Sequence, residues 1–266
     1  MHEITDHAQL TALLGDDPYL RWGVPQELPA PAVVAGEAVA TLRVRHRLGQ
    51  VRRSAFVLGD GPGVAELVAL LVRGGLLTAW EATGISVPQA HGHLLDAHGI
   101  APGGRWDWMW VDSPTPRTTD DQRSVVLTLA DATDAPEMAA FSERWSPTAE
   151  GEPGTGFSTL WRGVRAGALE GDPTAGELLS LGASQPFTDG VPHLAGIVTH
   201  GQHQGRGLAR LVTESLTLTE VEATGVCTLG MYSDNAVARR LYESIGYRVA
   251  WAWDSRRWDG TTAGCG

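Results

Sequence analysis

The sequence has no lysine: all 20 basic residues among its 266 are arginine. This excludes a Schiff-base lysine, a P-loop lysine and lysine as general base. Cysteine is nearly absent too. Cys227 and Cys265 are too few for a disulfide framework or a cysteine-rich zinc site, and such sparing use fits a reducing compartment. No run approaches the roughly 18 apolar residues that span a bilayer. The opening MHEITDHAQL has no basic segment leading into an apolar run. A cytoplasmic protein without membrane contact is therefore expected. Positive charge is also short, with a net charge of −11. That field repels phosphate backbones and attracts cationic partners, so nucleic acid is not an expected partner and an amine-bearing one is.

A content of 42% hydrophobic and 19% charged residues is that of a globular chain, and 33 glycines and 15 prolines imply many turns. The length admits one large domain or two small ones. SPTPRTTDDQR (Ser113–Arg123) carries prolines and polar residues without apolar periodicity, which reads as a linker. The expected division is a domain over 1–112, a linker over 113–123 and a domain over 124–266.

The second half alternates strands and helices, implying an α/β layer structure built on a mixed sheet. VVLTLADAT (Val125–Thr133) reads as a strand entering a turn. DAPEMAAFSERW (Asp134–Trp145) reads as a helix with an Asp cap and an early proline. TLWRGVRAG and LLSLGASQ read as neighbouring strands around the insert LEGDPTAGE, and VPHLAGIVTH (Val191–His200) as an apolar strand. From Gly207 to Thr224, Leu208, Leu211, Val212, Ser215, Leu218 and Val221 form a helical stripe. GVCTLGMY, NAVARRLYESIG and YRVAWAWDSRRW follow as strand, helix and strand. The first half ends in an echo of this: Leu94 falls on Leu241, Asp96 on Glu243 and Gly99 on Gly246, each before a Trp-rich strand. Two copies of one domain are the expected reading.

HGQHQGRGLAR (His200–Arg210) joins the end of a buried strand to the start of an amphipathic helix. Gly205, Gly207 and Ala209 let a ligand approach the backbone, and the unpaired N–H groups of a helix start favour an anion such as a diphosphate. Without lysine this is not an ATP-type loop, and the spacing is not that of a dinucleotide fold. Further on, Asn235 opens a helix and Tyr242 lies two turns later on nearly the same face. Gln204–Ala209 (Q-G-R-G-L-A) resembles the Q/R-x-x-G-x-G/A signature of the GNAT acetyltransferase superfamily. Asn235–Tyr247 (N-A-V-A-R-R-L-Y-E-S-I-G-Y) resembles that superfamily's N-x-x-A-x-x-L-Y-x-x-x-G-F/Y block, in the same order and spacing. The likeness covers roughly Val125 to Trp253 well and the first half only faintly.

The resemblance implies a GNAT-like second domain beside a smaller, degenerate first one, with acetyl-CoA as co-substrate, no metal, and acyl transfer to an amine. By carry-over, Ile197, Val198 and Thr199 would bond the pantetheine arm. Gln204, Gly205, Arg206, Gly207, Leu208, Ala209 and Arg210 would cradle the diphosphate, Asn235 would hold the cofactor arm, and Tyr242 would sit by the sulfur. A base must take the amine proton. The Glu that many members place five residues before the Asn is Gly230 here. His193 and His200 are the candidates, with His193 at the start of the central strand preferred; a water chain or a substrate of lowered pKa would also serve. His91, His93 and His98 lack the spacing to share one helical face, so no metal is expected there. Trp106, Trp108 and Trp110, like Trp251 and Trp253, alternate as buried sheet or contact surface rather than as an aromatic cage. Leu95 falls where the first copy would carry the tyrosine, and GDGPGVAEL lacks the glycine signature. That half is expected to be inactive and to wall a substrate cleft. Two other readings remain open: a non-catalytic acyl-CoA-binding regulatory module, and a structural interaction protein. Either a monomer or a homodimer is compatible with the sequence.

Overall fold

Helix starts follow local capping chemistry from the first residues onward. The structure is a computed structural model describing residues 1–47 and 49–260, so Cys265 lies outside the described residues. β1 (His2–Ile4) leads into α1 (His7–Leu14), where the Asp6 carboxylate accepts from Ala8 N at 2.8 Å. Asp17 does the same for Tyr19 N and Leu20 N ahead of α2 (Pro18–Gly23), whose first residue is a proline. Then come β2 (Ala32–Ala35), β3 (Ala38–Arg47), β4 (Gln50–Leu58), α3 (Pro62–Val72), α4 (Leu76–Ala79), β5 (Gly84–Pro88), α5 (Gly92–Ala97) and β6 (Gly104–Val111). The chain continues through α6 (Asp120–Arg123), β7 (Leu127–Leu129), α7 (Ala135–Trp145), β8 (Leu160–Arg165), β9 (Leu178–Pro186) and β10 (Pro192–Thr199). It closes with α8 (Leu208–Thr224), β11 (Cys227–Tyr232), α9 (Ala236–Ile245) and β12 (Arg248–Arg257).

The chain forms two compact units. The first comprises Met1–Trp108, Met231–Asn235 and the residues from Val249 onward; the second comprises Met109–Gly230 and Ala236–Arg248. The expected second domain, 124–266, is thus shared between them: its closing strand from Val249 on groups with the first unit. The expected linker is not an open tether either. Thr119 and Gln122 form a capping box that starts α6 inside it, and the whole stretch 113–123 falls in the second unit.

In the first unit β1, β2, β3 and β4 pair antiparallel, β4 and β5 parallel, and β5 and β12 antiparallel. Val64, Leu67, Val68 and Leu71 of α3 pack with Val57, Ile85 and Leu95 in its core. Tyr19, Phe56, Trp108 and Trp253 form a fully buried aromatic cluster with edge-on and tilted contacts, such as Tyr19–Trp108 at 5.1 Å. The tryptophans here are core, as their alternation predicts.

The second unit is built on β7, β8, β9 and β10, all antiparallel, with β11 parallel to β10. Met138 and Phe141 of α7 pack on Trp161, Leu181, Ala183 and Val198. Strand alternation turns Gly182 to the opposite face, where an added Cβ would strike Ile197, Val212 and Leu216. So α8 covers that face, and a glycine on β9 lets it approach.

Each half of the chain runs through a parallel strand pair bridged by a helix (β4–α3–β5 and β10–α8–β11), then a helix, a left-handed glycine and a strand, although the last strand, β12, groups with the first unit from Val249 on. Gly99 (φ 68°) and Gly246 (φ 108°) follow α5 and α9 in the left-handed region.

Three local expectations need correction. The strand of Val125–Thr133 shrinks to β7, Leu127–Leu129. Asp134 does not cap α7 through its side chain; its carboxylate accepts from Ala130 N at 2.7 Å and closes the preceding turn instead. The buried face of α8 is not the apolar stripe, since only Leu208 and Val212 of that set are buried, alongside Thr213, Glu214, Leu216 and Thr217. The polar members are satisfied locally: Thr213 donates to Ala209 O, and Thr217 pairs with the Tyr247 hydroxyl at 2.8 Å.

Glu214, wholly buried, accepts from the N–H groups of Arg117 and Thr118, both at 3.0 Å, and pairs with Arg210. Burial raises its pKa, but the Thr118 hydroxyl and these backbone donors outweigh that and hold it below the ordinary 4.5. A depressed carboxylate contributes stability that is complete above its unfolded pKa and is lost as pH falls through the folded value. Glu214→Gln is expected to cost about 1–3 kcal/mol at neutral pH and to flatten the acid side of the stability curve. Denaturant melts from pH 7 to pH 3 check both.

Candidate active site

The strand that carries most of the candidate residues leaves its partner early. β10 pairs with β11 only through His193↔Thr228 and Leu194↔Leu229. From Ala195 to Thr199 it has no strand partner on that side among the described residues, so Ile197, Val198 and Thr199 present an open backbone edge there. On the β9 side the register shifts between Ala195 and Val198. Gly196 (φ 61°) sits at the shift, and a Cβ there would lie 3.0 Å from the Gly151 backbone. Only glycine meets both demands, and the resulting bulge re-aims the strand.

β10 then runs into a 3-10 turn, Gly201–His203, opened by His200, whose Nδ1 accepts from Gln202 N at 3.2 Å. Gln204 is extended and exposed. Gly205 (φ 75°) and Gly207 (φ 80°) are both left-handed, and a Cβ on either would find nothing within 4 Å. Gly207 is the N-cap of α8, where no side chain caps the helix, and the first helical bond is Leu211 N to Gly207 O. The amides of Leu208, Ala209 and Arg210 precede that bond and have no intrahelical acceptor. A 17-residue helix stands behind them with its positive dipole end toward the turn. The residues present therefore fit a diphosphate. The Arg206 guanidinium lies against His203 Nδ1 at 3.0 Å, whereas that of Arg210 is tied to Glu214 and to Ser244 Oγ at 2.8 Å, leaving its backbone amide for a ligand.

The corresponding helix start in the first unit does not fit. Gly61 opens α3, but Pro62 has no N–H, and the Asp60 carboxylate already accepts from Gly61 N at 2.7 Å. A Cβ on Gly63 would come within 2.0 Å of Ala35 O, so the turn is packed against β2. One donor missing, one occupied and a negative charge in place make this end poor for phosphate.

His193 is buried in the second unit. Its ring stacks on Phe187 at 4.5 Å, and its Nδ1 lies 2.9 Å from Thr228 Oγ1. Strand alternation puts it on the α7 face of the sheet, opposite Gln185 of β9. His200 differs: its Nδ1 is an acceptor in the turn, and its ring packs on Trp145 at 4.0 Å. Tyr242 is buried on α9, edge-on to Tyr247 at 5.9 Å, and its hydroxyl has no hydrogen-bond partner among the described residues. Burial pushes its phenol up to about 12. Cys227, likewise buried, is pushed to about 12 and is no nucleophile. Asn235 immediately precedes α9 and donates its N–H to Tyr232 O at 3.0 Å; it groups with the first unit.

The structure thus strings His193, Ile197–Thr199 and Gln204–Arg210 along one strand and the helix start that follows, with Tyr242 in the same unit. Thr228, Phe187 and Gln185 were missed in the sequence reading, because only strand register makes them neighbours of His193. The histidines of the first unit are otherwise engaged: His91 binds Asp60 and His93 lies 3.2 Å from Ala90 O. No group of three or more His, Cys, Asp or Glu suited to a metal occurs among the described residues. None of the described helices is long and apolar enough to cross a membrane.

Residues 183–258 match the family model for FR47-like protein, a GNAT-type family, and this segment contains β10, the glycine turn, α8 and α9. No curated protein matches the chain. Among solved structures, a GCN5-related N-acetyltransferase from Sphaerobacter thermophilus is similar at 17% identity and TM-score 0.58, covering 94% of this chain and 89% of that one. A Drosophila protein is similar at 14% identity and TM-score 0.54, covering 98% and 99%. A GNAT-family acetyltransferase from Colwellia psychrerythraea follows at 13% identity and TM-score 0.50, covering 97% and 99%. At these identities the neighbours speak for the fold, which is that of the GNAT acetyltransferases. The FR47-like match covers the segment that builds the open strand edge and the glycine turn.

Proposed function

We propose that the protein transfers an acetyl group from acetyl-CoA to the amine of a small molecule or peptide, in the second unit. The observation that carries this is the helix start at Gly205–Arg210: two left-handed glycines with open space where side chains would stand, followed by uncapped amides. Each dipole contact is worth only ~0.3–1 kcal/mol, but several N–H donors converging on one diphosphate sum to useful affinity. In this reading Ile197, Val198 and Thr199 bond the pantetheine arm in the manner of an added strand. Gln204 to Arg210 hold the diphosphate.

Acetyl-CoA supplies an activated thioester carbonyl. The chain's part is to deprotonate the amine and to receive negative charge on the departing sulfur. Amines titrate near ~10, so at neutral pH the acceptor arrives charged and needs a base. His193, at the point where the β10–β11 ladder ends, takes that role, and the acidic net charge favours a cationic acceptor. Tyr242 donates a hydrogen bond to the sulfur. With the phenol at about 12 and a thiol near ~8.5, full proton transfer is uphill by ~5 kcal/mol. Burial thus strengthens the case for a hydrogen bond that tightens as charge develops over outright proton donation. The non-catalytic alternative rests on Gly230, exposed on β11, standing where many family members carry a glutamate.

Titration calorimetry with CoA should show Gly207→Val, folded by circular dichroism, binding at least tenfold more weakly; unchanged affinity would remove the diphosphate assignment. Acetyl-CoA turnover on spermidine, tyramine and a short peptide with a free N-terminus should fall about tenfold in Tyr242→Phe while the Kd for CoA stays put. No turnover on any such amine would favour the binding module. Because burial raises the Tyr242 phenol, it remains a donor throughout the neutral and mildly basic range. The Tyr242-dependent part of the rate, wild type over Tyr242→Phe, should therefore be constant between pH 7 and pH 10.

A further inference from the structure

The hydroxyl of Thr228 makes two contacts that one hydrogen must serve. It lies 2.8 Å from Pro192 O and 2.9 Å from His193 Nδ1. A carbonyl oxygen only accepts, so the Thr228 hydrogen goes to Pro192 O. The lone pairs of Oγ1 then face the imidazole, and Nδ1 must be the donor. Were the hydrogen turned to Nδ1 instead, two acceptors would face each other at 2.8 Å in a site where Thr228 is wholly buried. A neutral His193 ring so held carries its proton on Nδ1 and its lone pair on Nε2. The Phe187 ring, stacked at 13° to the imidazole, fixes the ring plane.

We propose that Thr228 is a positioning residue that sets the tautomer of His193, leaving Nε2 as the atom that takes the amine proton. The proposal rests on the reading of His193 as base. The proton passes from the acceptor nitrogen to Nε2, and Nδ1 keeps its own proton on Thr228, so the resulting imidazolium keeps the same hydrogen bond. His200 is the contrast within the unit. Its Nδ1 accepts from Gln202 N, so its neutral form carries the proton on Nε2 and has no lone pair to offer there. Geometry therefore separates two histidines that the sequence left as rivals. The clamp comes from the parallel register His193↔Thr228, the last but one pair before the strands part, and from the main chain of Pro192 one residue earlier. Backbone and threonine together hold the ring at the mouth of the open edge.

Long-range nitrogen–proton correlation NMR on the full chain reads the tautomer directly, with Thr228→Val as nearly isosteric loss of the hydroxyl and Thr228→Ser as its retention. Wild type and Thr228→Ser should show His193 protonated at Nδ1. Thr228→Val should move the population toward the Nε2-protonated form. With the amine of the panel that turns over fastest, Thr228→Val should lower kcat about tenfold, leave the KM for acetyl-CoA within twofold, and be rescued by Thr228→Ser. Thermal melts identify a variant that fails to fold, in which case Thr228→Ala is the substitute. A wild-type His193 protonated at Nε2, or a Thr228→Val enzyme with unaltered tautomer and kcat, overturns the proposal. His193→Gln keeps the two readings apart. Full activity in that variant removes the base, and with it the catalytic role of Thr228. An inactive His193→Gln beside a normal Thr228→Val removes Thr228 alone.

Discussion

A strand that ends its pairing before it ends its length leaves polar backbone groups to be satisfied by something else. β10 does this after Leu194, and α8 does the same a few residues later with the amides of Leu208 to Arg210. Buried backbone donors are seldom left alone. Two such sets in succession are joined by a turn in which Gly205 and Gly207 leave open space where side chains would stand. The bulge at Gly196 and the left-handed glycines at 205 and 207 shape this stretch, and each sits where a Cβ-bearing residue would clash or be strained.

The two units show what happens when the same framework loses that open turn. Both contain a parallel strand pair bridged by a helix, and both helices start after a left-handed glycine. In the first unit a proline removes a donor, an aspartate occupies another, and β2 packs against the turn. Position 95 is a fully buried leucine where the second unit has Tyr242. The framework survives because its core, Val64 to Leu71 against Val57 and Ile85, does not depend on the ligand-facing end.

Polar groups on buried faces decide much of the second unit. Glu214 and Thr217 lie on the side of α8 that a hydropathy stripe would leave outside, yet Glu214 receives the main chain of Arg117 and Thr118 and Thr217 pairs with Tyr247. Those bonds attach the 113–123 stretch to the helix and explain why a proline-rich, polar segment is ordered within this unit rather than free. The same principle operates at His193, whose ring orientation is set by a threonine on the neighbouring strand.

The sequence by itself determined the alternation of strands and helices in the second half, the glycine pattern of Gln204–Ala209 and the Asn235–Tyr242 spacing. These are local or periodic properties, written in side-chain size, capping chemistry and intervals along one segment. It could not determine which strands part company, which face of α8 is buried, where the closing strand from Val249 groups, or which side chains lie against the His193 ring. Thr228 is 35 residues from His193 along the chain, and only the parallel register of β10 and β11 makes them neighbours. Pairing between distant segments is fixed by the sum of core packing and hydrogen bonding, so tertiary structure alone could settle it.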